Sequence, residues 1–342
     1  MASIKDVARL CGCSPATVSR VINKKNNISK ETEQKILEAI KKVGYVPNTV
    51  ARNLKSQHTN TIGVVVPDIS EPFFAQIIKS INAVAEERDY LITLCDSHED
   101  PRRERRLVSL LNENRVEGII VASVQNDRDI DKMLEQIGCP VVFIDNVPDN
   151  ARADAVSTDN IAASTLAVES LVKNGHTGLV AIMGKKSEHT GYARYRGYLD
   201  ALKAHGLPTD EERLRFGDYK EASGYAAMQE FLQSGLSFSA VYVTSSKMTQ
   251  GALKAIHEKG LRVPEDLSVI GFDIQDKFYF SSSGITTVLQ DNAGIGSRAA
   301  EIVLERIENP SSAKGNRVVL SPYVEMRGSC RSLKEEVDAA GK

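Results

Sequence analysis

The sequence predicts an α/β protein: a small N-terminal all-α helix-turn-helix head joined to a two-lobed body with parallel sheets. Three observations predict it. Apolar residues at helical spacing, interrupted by a glycine turn and two helix-start signals, fill residues 1–46. From residue 60 onward, short β-branched runs alternate with helical segments, and the alternation restarts once. Charge divides near the same point: residues 1–60 carry eleven Lys and Arg against four Asp and Glu, so +7. The chain as a whole is −2, so the remainder sums to −9. A basic head on an acidic body fits either a polyanion-binding surface or a solvated helical face.

The head comes first. Ile4, Val7 and Ala8 share one helical face, as do Val18, Val21 and Ile22, and then Ile36, Leu37, Ile40 and Val43. Ser14 followed by Pro15 is a start signal, with serine as N-cap and proline at the first helical position, where no N–H is needed. Ser29 is a second N-cap candidate and Gly44 a C-terminal stop. "LCGCS" is then a tight turn in which Gly12 permits a positive φ. Cys11 and Cys13 read as small apolar residues packing that turn, because no second Cys or His pair lies nearby to complete a zinc site. Two helices across a glycine turn make a helix-turn-helix, whose second helix lies in the major groove. Arg20 can offer two donors to guanine O6 and N7. Pro15 and Ala16 can make only apolar contacts, and Ser14, Thr17 and Ser19 are short hydroxyls suited to phosphates.

"IKDVARLCGCSPATVSRVIN", with "YVPNTVARNLKSQHTNTIGVVVPDISEPFF" after it, resembles the head, hinge and first body strand of the LacI/GalR family of bacterial transcriptional regulators. The likeness runs over nearly the whole chain. It implies a regulator, most often a repressor, that binds double-stranded operator DNA as a homodimer under the control of a small-molecule effector. Asn23 and Tyr45 join the expected DNA contacts.

Residues 47–59 are expected to form a hinge helix or linker. Pro47 and Asn48 break the third helix; Val50, Ala51 and Leu54 then share one face of a helix too short to persist alone in water. A flexible linker with one ordinary leucine fits the residues as well. The resemblance implies more: two hinge helices meet in the minor groove, Leu54 wedges open a base step, and Arg52 and Lys55 meet backbone or minor-groove atoms.

Residues 60–342 are expected to be the effector-binding and dimerisation domain. "TIGVVVP", "YLITLC", "EGIIVAS" and "PVVFID" read as buried parallel strands, with helices in "FFAQIIKSINAVAEERD", "RERRLVSLLNENR" and "DIDKMLEQIG" between them. The rhythm restarts with "GLVAIMG", "YARYRGYLDALKAHG", "SGYAAMQEFLQSG", "SAVYVTS", "TQGALKAIHEKG" and "DLSVIGFD". Such alternation builds open parallel sheets with helices on both faces and a ligand cleft at the carboxyl ends of the strands. The body resembles periplasmic binding proteins of sugar type. The resemblance implies an N-lobe of about 60–160 plus 291–320 and a C-lobe of about 161–290 plus 321–331.

Candidate effector contacts follow the strands. Phe73 and Phe74 could flank a ring or belong to the core. Asp145 ends "VVFID". The family pattern of an arginine three residues before a Gly-aromatic pair selects Arg194 over Arg196 in "GYARYRGY". Arg194 would fork onto hydroxyls or a carboxylate. Tyr219 stands where the family often stacks an aromatic on the effector, and Asp273 where it places an acid that accepts from sugar hydroxyls. Two positions depart from the pattern: Ser246 replaces a common Asp or Asn, and Ile274 a common amide. These losses point away from ordinary sugar recognition, towards a less hydroxylated effector or a protein co-regulator.

Length, composition and motifs set the outer bounds. The 342 residues, 42% hydrophobic and 26% charged, fit an ordinary soluble protein. No membrane span or signal-peptide core is legible, which points to the cytoplasm. Five scattered cysteines fit reduced thiols. No P-loop, GxGxxG after a strand, G-x-S-x-G or HExxH occurs, and the six histidines show no metal spacing, so no enzyme, cofactor or metal is expected. A solute-binding protein without a regulatory role is the rival reading; the basic head counts against it. The tail "RSLKEEVDAAGK" is too short and too weakly apolar for a tetramerising coiled coil, which favours a dimer.

Overall fold

The computed structural model describes residues 2–22, 28–45, 58–124, 134, 136–148, 153–275, 284–310 and 315–334. Asn23, Arg52, Leu54 and Lys55, expected at the DNA, lie outside the described residues, as does most of the helix expected in "DIDKMLEQIG". The chain divides into two compact units, residues 1–59 and 60–342.

The first unit holds α1 (Ile4–Cys11), α2 (Pro15–Ile22) and α3 (Lys30–Val43). Each helix starts on a local signal. The Asp6 carboxylate accepts from Ser3 N and Oγ, which closes the N-terminus of α1. Thr17 N donates to Ser14 Oγ at 3.1 Å, and Thr32 N to Ser29 Oγ at 3.3 Å. Gly12 and Gly44 take φ of 67° and 63°, a left-handed conformation that ends α1 and α3. Val7, Ala8, Val18, Val21, Ile36 and Ala39 are buried between the three helices. Leu37 is not: it is 53% exposed. At about 100° per residue it lies well off the stripe through Ile36, Ala39, Ile40 and Val43, so apolar character alone misplaced it.

The second unit repeats one α/β design twice. The first lobe contributes β1 (Thr61–Val66), α4 (Pro72–Glu87), β2 (Leu91–Asp96), α5 (Pro101–Glu113), β3 (Gly118–Val121), β4 (Val141–Ile144) and β5 (Asp154–Thr158). The chain then crosses into α6 (Asn160–Lys173), β6 (Leu179–Met183), α7 (His189–Ala204), β7 (Leu214–Phe216), α8 (Glu221–Gln233), β8 (Ala240–Val243), α9 (Ser246–Glu258), β9 (Ser268–Phe272) and β10 (Thr286–Leu289). Helix α10 (Asn292–Glu308) and β11 (Arg317–Leu320) return to the first lobe, and β12 (Tyr323–Glu325) to the second.

The sheet orders are β11-β5-β4-β3-β1-β2 and β12-β10-β9-β8-β6-β7. The first sheet is parallel throughout; in the second, β12 alone runs antiparallel, against β10. Valine and isoleucine fill both faces of each sheet, as parallel strands covered by helices require. A buried, two-pronged ion pair fixes the return helix: Arg306 Nε and Nη2 lie 2.8 and 2.9 Å from the Asp154 carboxylate.

Strand β2 departs from the expected buried strand. It is a sheet edge, with Leu91 71% and Leu94 41% exposed. Its β-branched and leucine content is that of a covered strand, yet only Ile92 and Cys95 pack against the core, and Leu91 and Leu94 are left outward.

Candidate functional site

Two surfaces carry the chemistry expected from the sequence. The first is the outer face of α2. Val18 and Val21 turn inward, so Pro15, Ala16 and Arg20 stand exposed, with Ser14 beside them. Thr17 and Ser19 are half-buried. Ser14 Oγ and Thr17 Oγ1 are hydrogen-bonded at 2.8 Å, so both hydroxyls belong to the helix cap before they meet any phosphate. Tyr45 packs against the head core and donates its N–H to Ile40 O. The cysteine turn packs too. Cys11 Sγ reaches Ala8 O and Cys13 Sγ reaches Cys11 O, and both side chains lie against the core. Among the described residues no cluster of three potential metal ligands occurs.

The second surface is a cleft between the two lobes of the body, with about 140 Å³ of solvent-accessible volume. One water needs about 10–15 Å³ by that measure, so the space suits a molecule of roughly ten waters' bulk. Phe73, Phe74, Asp145, Arg194, Tyr219, Ser246 and Asp273 all border it. Phe73 and Phe74 open the helix after β1, Asp145, Tyr219 and Asp273 follow β4, β7 and β9, Ser246 opens the helix after β8, and Arg194 comes from the second turn of α7.

Asp145 and Asp273 hold matching positions, one residue beyond β4 and β9. Each donates its backbone N–H to the neighbouring strand, Asp145 to Val156 O and Asp273 to Val288 O. Each takes a left-handed backbone, φ 60° and 53°, as does Tyr219 at 68°. Aspartate tolerates that region, but tyrosine there is strained, and strain of this kind collects at binding sites.

Arg194 is 7% exposed on α7. Its Nε donates to Asn160 Oδ1 at 2.7 Å and its Nη1 to Thr244 O at 2.9 Å, while the guanidinium lies 3.7 Å from the Phe272 ring centre. The fork is thus held flat in the cleft wall by two acceptors and an aromatic face. Arg196, two residues on, is exposed and lies 3.6 Å from Asp200.

The two aspartates differ in what surrounds them. Asp273 accepts from Gln290 N at 3.2 Å and from Gln290 Nε2 at 2.5 Å. Burial raises its pKa despite those bonds and the nearby Arg194. The Asp145 carboxylate accepts no hydrogen bond from the described residues. Burial pushes its pKa up to about 7, with Arg194 pulling the other way and Asp273 and Glu188 adding to the rise.

The aromatic residues divide. Phe74 is 6% exposed and belongs to the first lobe's core; Phe73 meets it edge-on and is half-buried. The Tyr219 ring presses on Gly184 and Gly191. A Cβ on Gly184 would come within 2.1 Å of that ring, and one on Gly191 within 2.7 Å of its hydroxyl. The ring therefore lies along the cleft wall.

Sequence reading missed several groups here. Lys247 Nζ crosses the cleft mouth to Asp68 Oδ2 (2.9 Å) and Glu71 Oε1 (3.0 Å). Lys185 Nζ lies 3.2 Å from Glu188 and 3.5 Å from Glu99. Burial raises the Asp68 pKa, but bonds from Ser70 and Lys247 overcome it and hold the carboxylate down to about 2. Gln290 follows β10 as Asp273 follows β9, a signal hidden because β10 was not read as a strand.

Known proteins resemble this chain over both units. The family profile for bacterial regulatory proteins, lacI family, matches residues 3–48, and that for periplasmic binding proteins and the sugar-binding domain of the LacI family matches residues 59–335. The HTH-type transcriptional repressor PurR of Pasteurella multocida (strain Pm70) is 34% identical over 333 residues, covering 97% of this chain and 99% of that protein. The PurR of Photorhabdus laumondii subsp. laumondii is 36% identical, covering 96% and 100%. Among solved structures, the Lac repressor dimer bound to operator and the anti-inducer ONPF superposes with a TM-score of 0.87 at 26% identity, covering 96% of this chain and 99% of that one. The complex of the transcriptional regulator CelR with cellobiose gives 0.73 at 30% identity, covering 96% and 100%.

Proposed function

Because this chain belongs to the LacI family of bacterial regulatory proteins, we propose that it is a transcriptional repressor that binds a pseudo-palindromic operator as a homodimer, with its DNA affinity set by a small molecule between the lobes of its body. One observation carries the reading: a capped helix-turn-helix with Arg20 exposed and a cleft built around buried Arg194 occur in one chain that matches repressors from end to end. The α2 face formed by Ser14, Pro15, Ala16, Thr17, Ser19 and Arg20 reads the operator, with Asn23 and Tyr45 flanking it. Leu54, between Arg52 and Lys55, wedges the minor groove. The effector is a sugar or sugar derivative. It shifts DNA affinity only through its differential affinity for two lobe arrangements, typically 1–3 kcal/mol of coupling.

The outward Leu91 and Leu94 of edge strand β2 offer an apolar edge that a second subunit would cover. A solute-binding protein without a regulatory role would leave the helix-turn-helix unexplained. The protein works as a regulator and not as a catalyst, in the cytoplasm where the DNA is; among the described residues no helix is long and apolar enough to cross a membrane.

Selection from a random duplex library with the full-length protein tests this directly. The recovered sites are expected to be pseudo-palindromes with half-sites about one helical turn, 34–36 Å, apart, and affinity is expected to fall steeply with salt. Recovery of no common sequence, or of single half-sites bound as tightly as the palindrome, would overturn the reading.

Lys247 gives a second expectation. It closes the cleft mouth against two carboxylates, yet it is about a third exposed. A pair so placed contributes about 1 kcal/mol or less. Lys247→Ala is expected to weaken effector binding up to about fivefold, and Lys247→Glu more, because a third carboxylate would then meet Asp68 and Glu71. Calorimetric titration reads both; unchanged affinity in Lys247→Glu would show that the bridge plays no part in closure.

A further inference from the structure

We infer that the molecule taken by this cleft is positively charged: a hydroxylated ring bearing an ammonium group, of the amino-sugar class, with the ammonium seated on Asp145. The inference rests on the reading of the cleft as the effector site. Its first support is charge. Six carboxylates border the cleft, those of Asp68, Glu71, Glu99, Asp145, Glu188 and Asp273, against the two cations Lys185 and Arg194. Lys247 at the mouth adds one more cation but spends it on Asp68 and Glu71. Lys185 likewise faces both Glu99 and Glu188. Arg194 alone is left to face both Asp145 and Asp273 in the interior, so two acidic groups share one cation. Water-excluding walls magnify that imbalance.

The second support is independent of charge. Gln290 is 5% exposed, and because its Nε2 is committed to Asp273, its Oε1 has no donor among the described residues. The Asp145 carboxylate, half-buried in the cleft wall, accepts no hydrogen bond from the described residues. A buried acceptor without a donor is costly, and Gln290 Oε1 and the Asp145 carboxylate border one cavity. A ligand that satisfies them must be rich in donors. An ammonium brings three donors and the missing charge together. Arg194, by contrast, asks for an acceptor, which a ring oxygen or hydroxyl supplies. Phosphate or carboxylate on the ligand would meet the six carboxylates at close range. The Ser246 position fits as well: where the family often carries Asp or Asn, this chain presents a hydroxyl and leaves the strong carboxylate contact to Asp145.

Calorimetry and thermal shift on the full-length protein test the inference. The probes are glucosamine, galactosamine and mannosamine, each beside its parent hexose and hexose 6-phosphate. The proteins are the unsubstituted chain, Asp145→Asn and Arg194→Lys. Asp145→Asn keeps the volume and removes a half-buried charge, so the fold is expected to hold. At least one amino sugar is expected to bind tenfold or more tightly than its parent hexose, the 6-phosphates not to bind, and the amine preference to vanish in Asp145→Asn. Asp145 is faced by Arg194 of α7, by Glu188 just before that helix and by Asp273; with its pKa near 7, amine affinity is expected to rise, by at most about tenfold per pH unit, as pH climbs towards that value. The charge inference fails if no amino sugar binds, if a hexose or phosphate binds equally well, or if the preference survives in Asp145→Asn. Hexose or phosphate binding that Arg194→Lys weakens would overturn the charge and leave the cleft standing. Amine binding untouched by both substitutions would overturn the cleft itself.

Discussion

Arg194→Ala is expected to abolish the effector response and to destabilise the body by about 3–5 kcal/mol. Both effects follow from one geometry. The guanidinium donates to Asn160 Oδ1 and Thr244 O, and truncation leaves both acceptors buried without that donor. A hydrogen bond from a charged group contributes about 1.5–3 kcal/mol. The same cation is the one that lowers the pKa of Asp145 and Asp273, so its removal leaves the buried Asp273 and the half-buried Asp145 without that counter-charge. Operator binding is expected to survive in the folded fraction, because α2 belongs to the other compact unit.

The pH dependence gives this prediction its sign. Asp145 titrates near 7 in the folded state and near 3.8 when unfolded. Between those values the folded state binds more protons, so its stability falls as pH rises through that window and then levels off. The cost of Arg194→Ala is therefore expected to be smaller at mildly acidic pH, where Asp145 is protonated, than above 7. Adding Asp145→Asn to Arg194→Ala is expected to recover part of the lost stability and none of the effector response. Denaturant titrations at two pH values, with operator titrations with and without effector, measure all of this. An Arg194→Ala protein as stable as its parent, with the same effector response, would show that the arginine is an ordinary wall residue.

Much of this architecture was legible because helices and covered parallel strands write their burial into composition. "TIGVVVP" and "SAVYVTS" could scarcely be anything but strands within a core. "DAVST" at β5, "LRF" at β7 and "TTVL" at β10 went unread because they are short and half polar; they are strands only because neighbouring strands supply the ladder. Missing β10 also hid Gln290. The composition of "YLITLC" is that of a covered strand, and an edge differs from an interior strand in its neighbours, which sequence does not print. The cleft residues were legible where a family pattern marks them, as at Arg194. Lys247 and Lys185 were not, since a lysine in a helix's first turn or in a loop looks like any solvated cation until the other lobe places a carboxylate opposite it.

Arg20→Ala is expected to have the largest effect on DNA. An arginine forked onto guanine contributes about 1–3 kcal/mol of discrimination, and a homodimer carries the substitution in both half-sites. A full palindrome should therefore lose about 2–6 kcal/mol, while each half-site loses its preference at one base pair. Ser14→Ala and Thr17→Val supply the contrast. Their hydroxyls are joined at 2.8 Å, and Ser14 Oγ also accepts from Thr17 N. Losing that cap costs about 0.5–2 kcal/mol of helix stability, felt on every sequence alike. Salt separates the roles further. A phosphate contact, when removed, flattens the salt dependence by about one charge per subunit, whereas a base contact leaves the slope as it was. Arg20 stands exposed on the outward face of α2, with Val18 and Val21 turned into the core behind it, so the substitution should not disturb the head itself. Binding isotherms on operators varied one base pair at a time, at several salt concentrations, decide the matter. A uniform loss across all operators with a flattened salt slope would make Arg20 a backbone contact, and base reading would then have to pass to the apolar faces of Pro15 and Ala16.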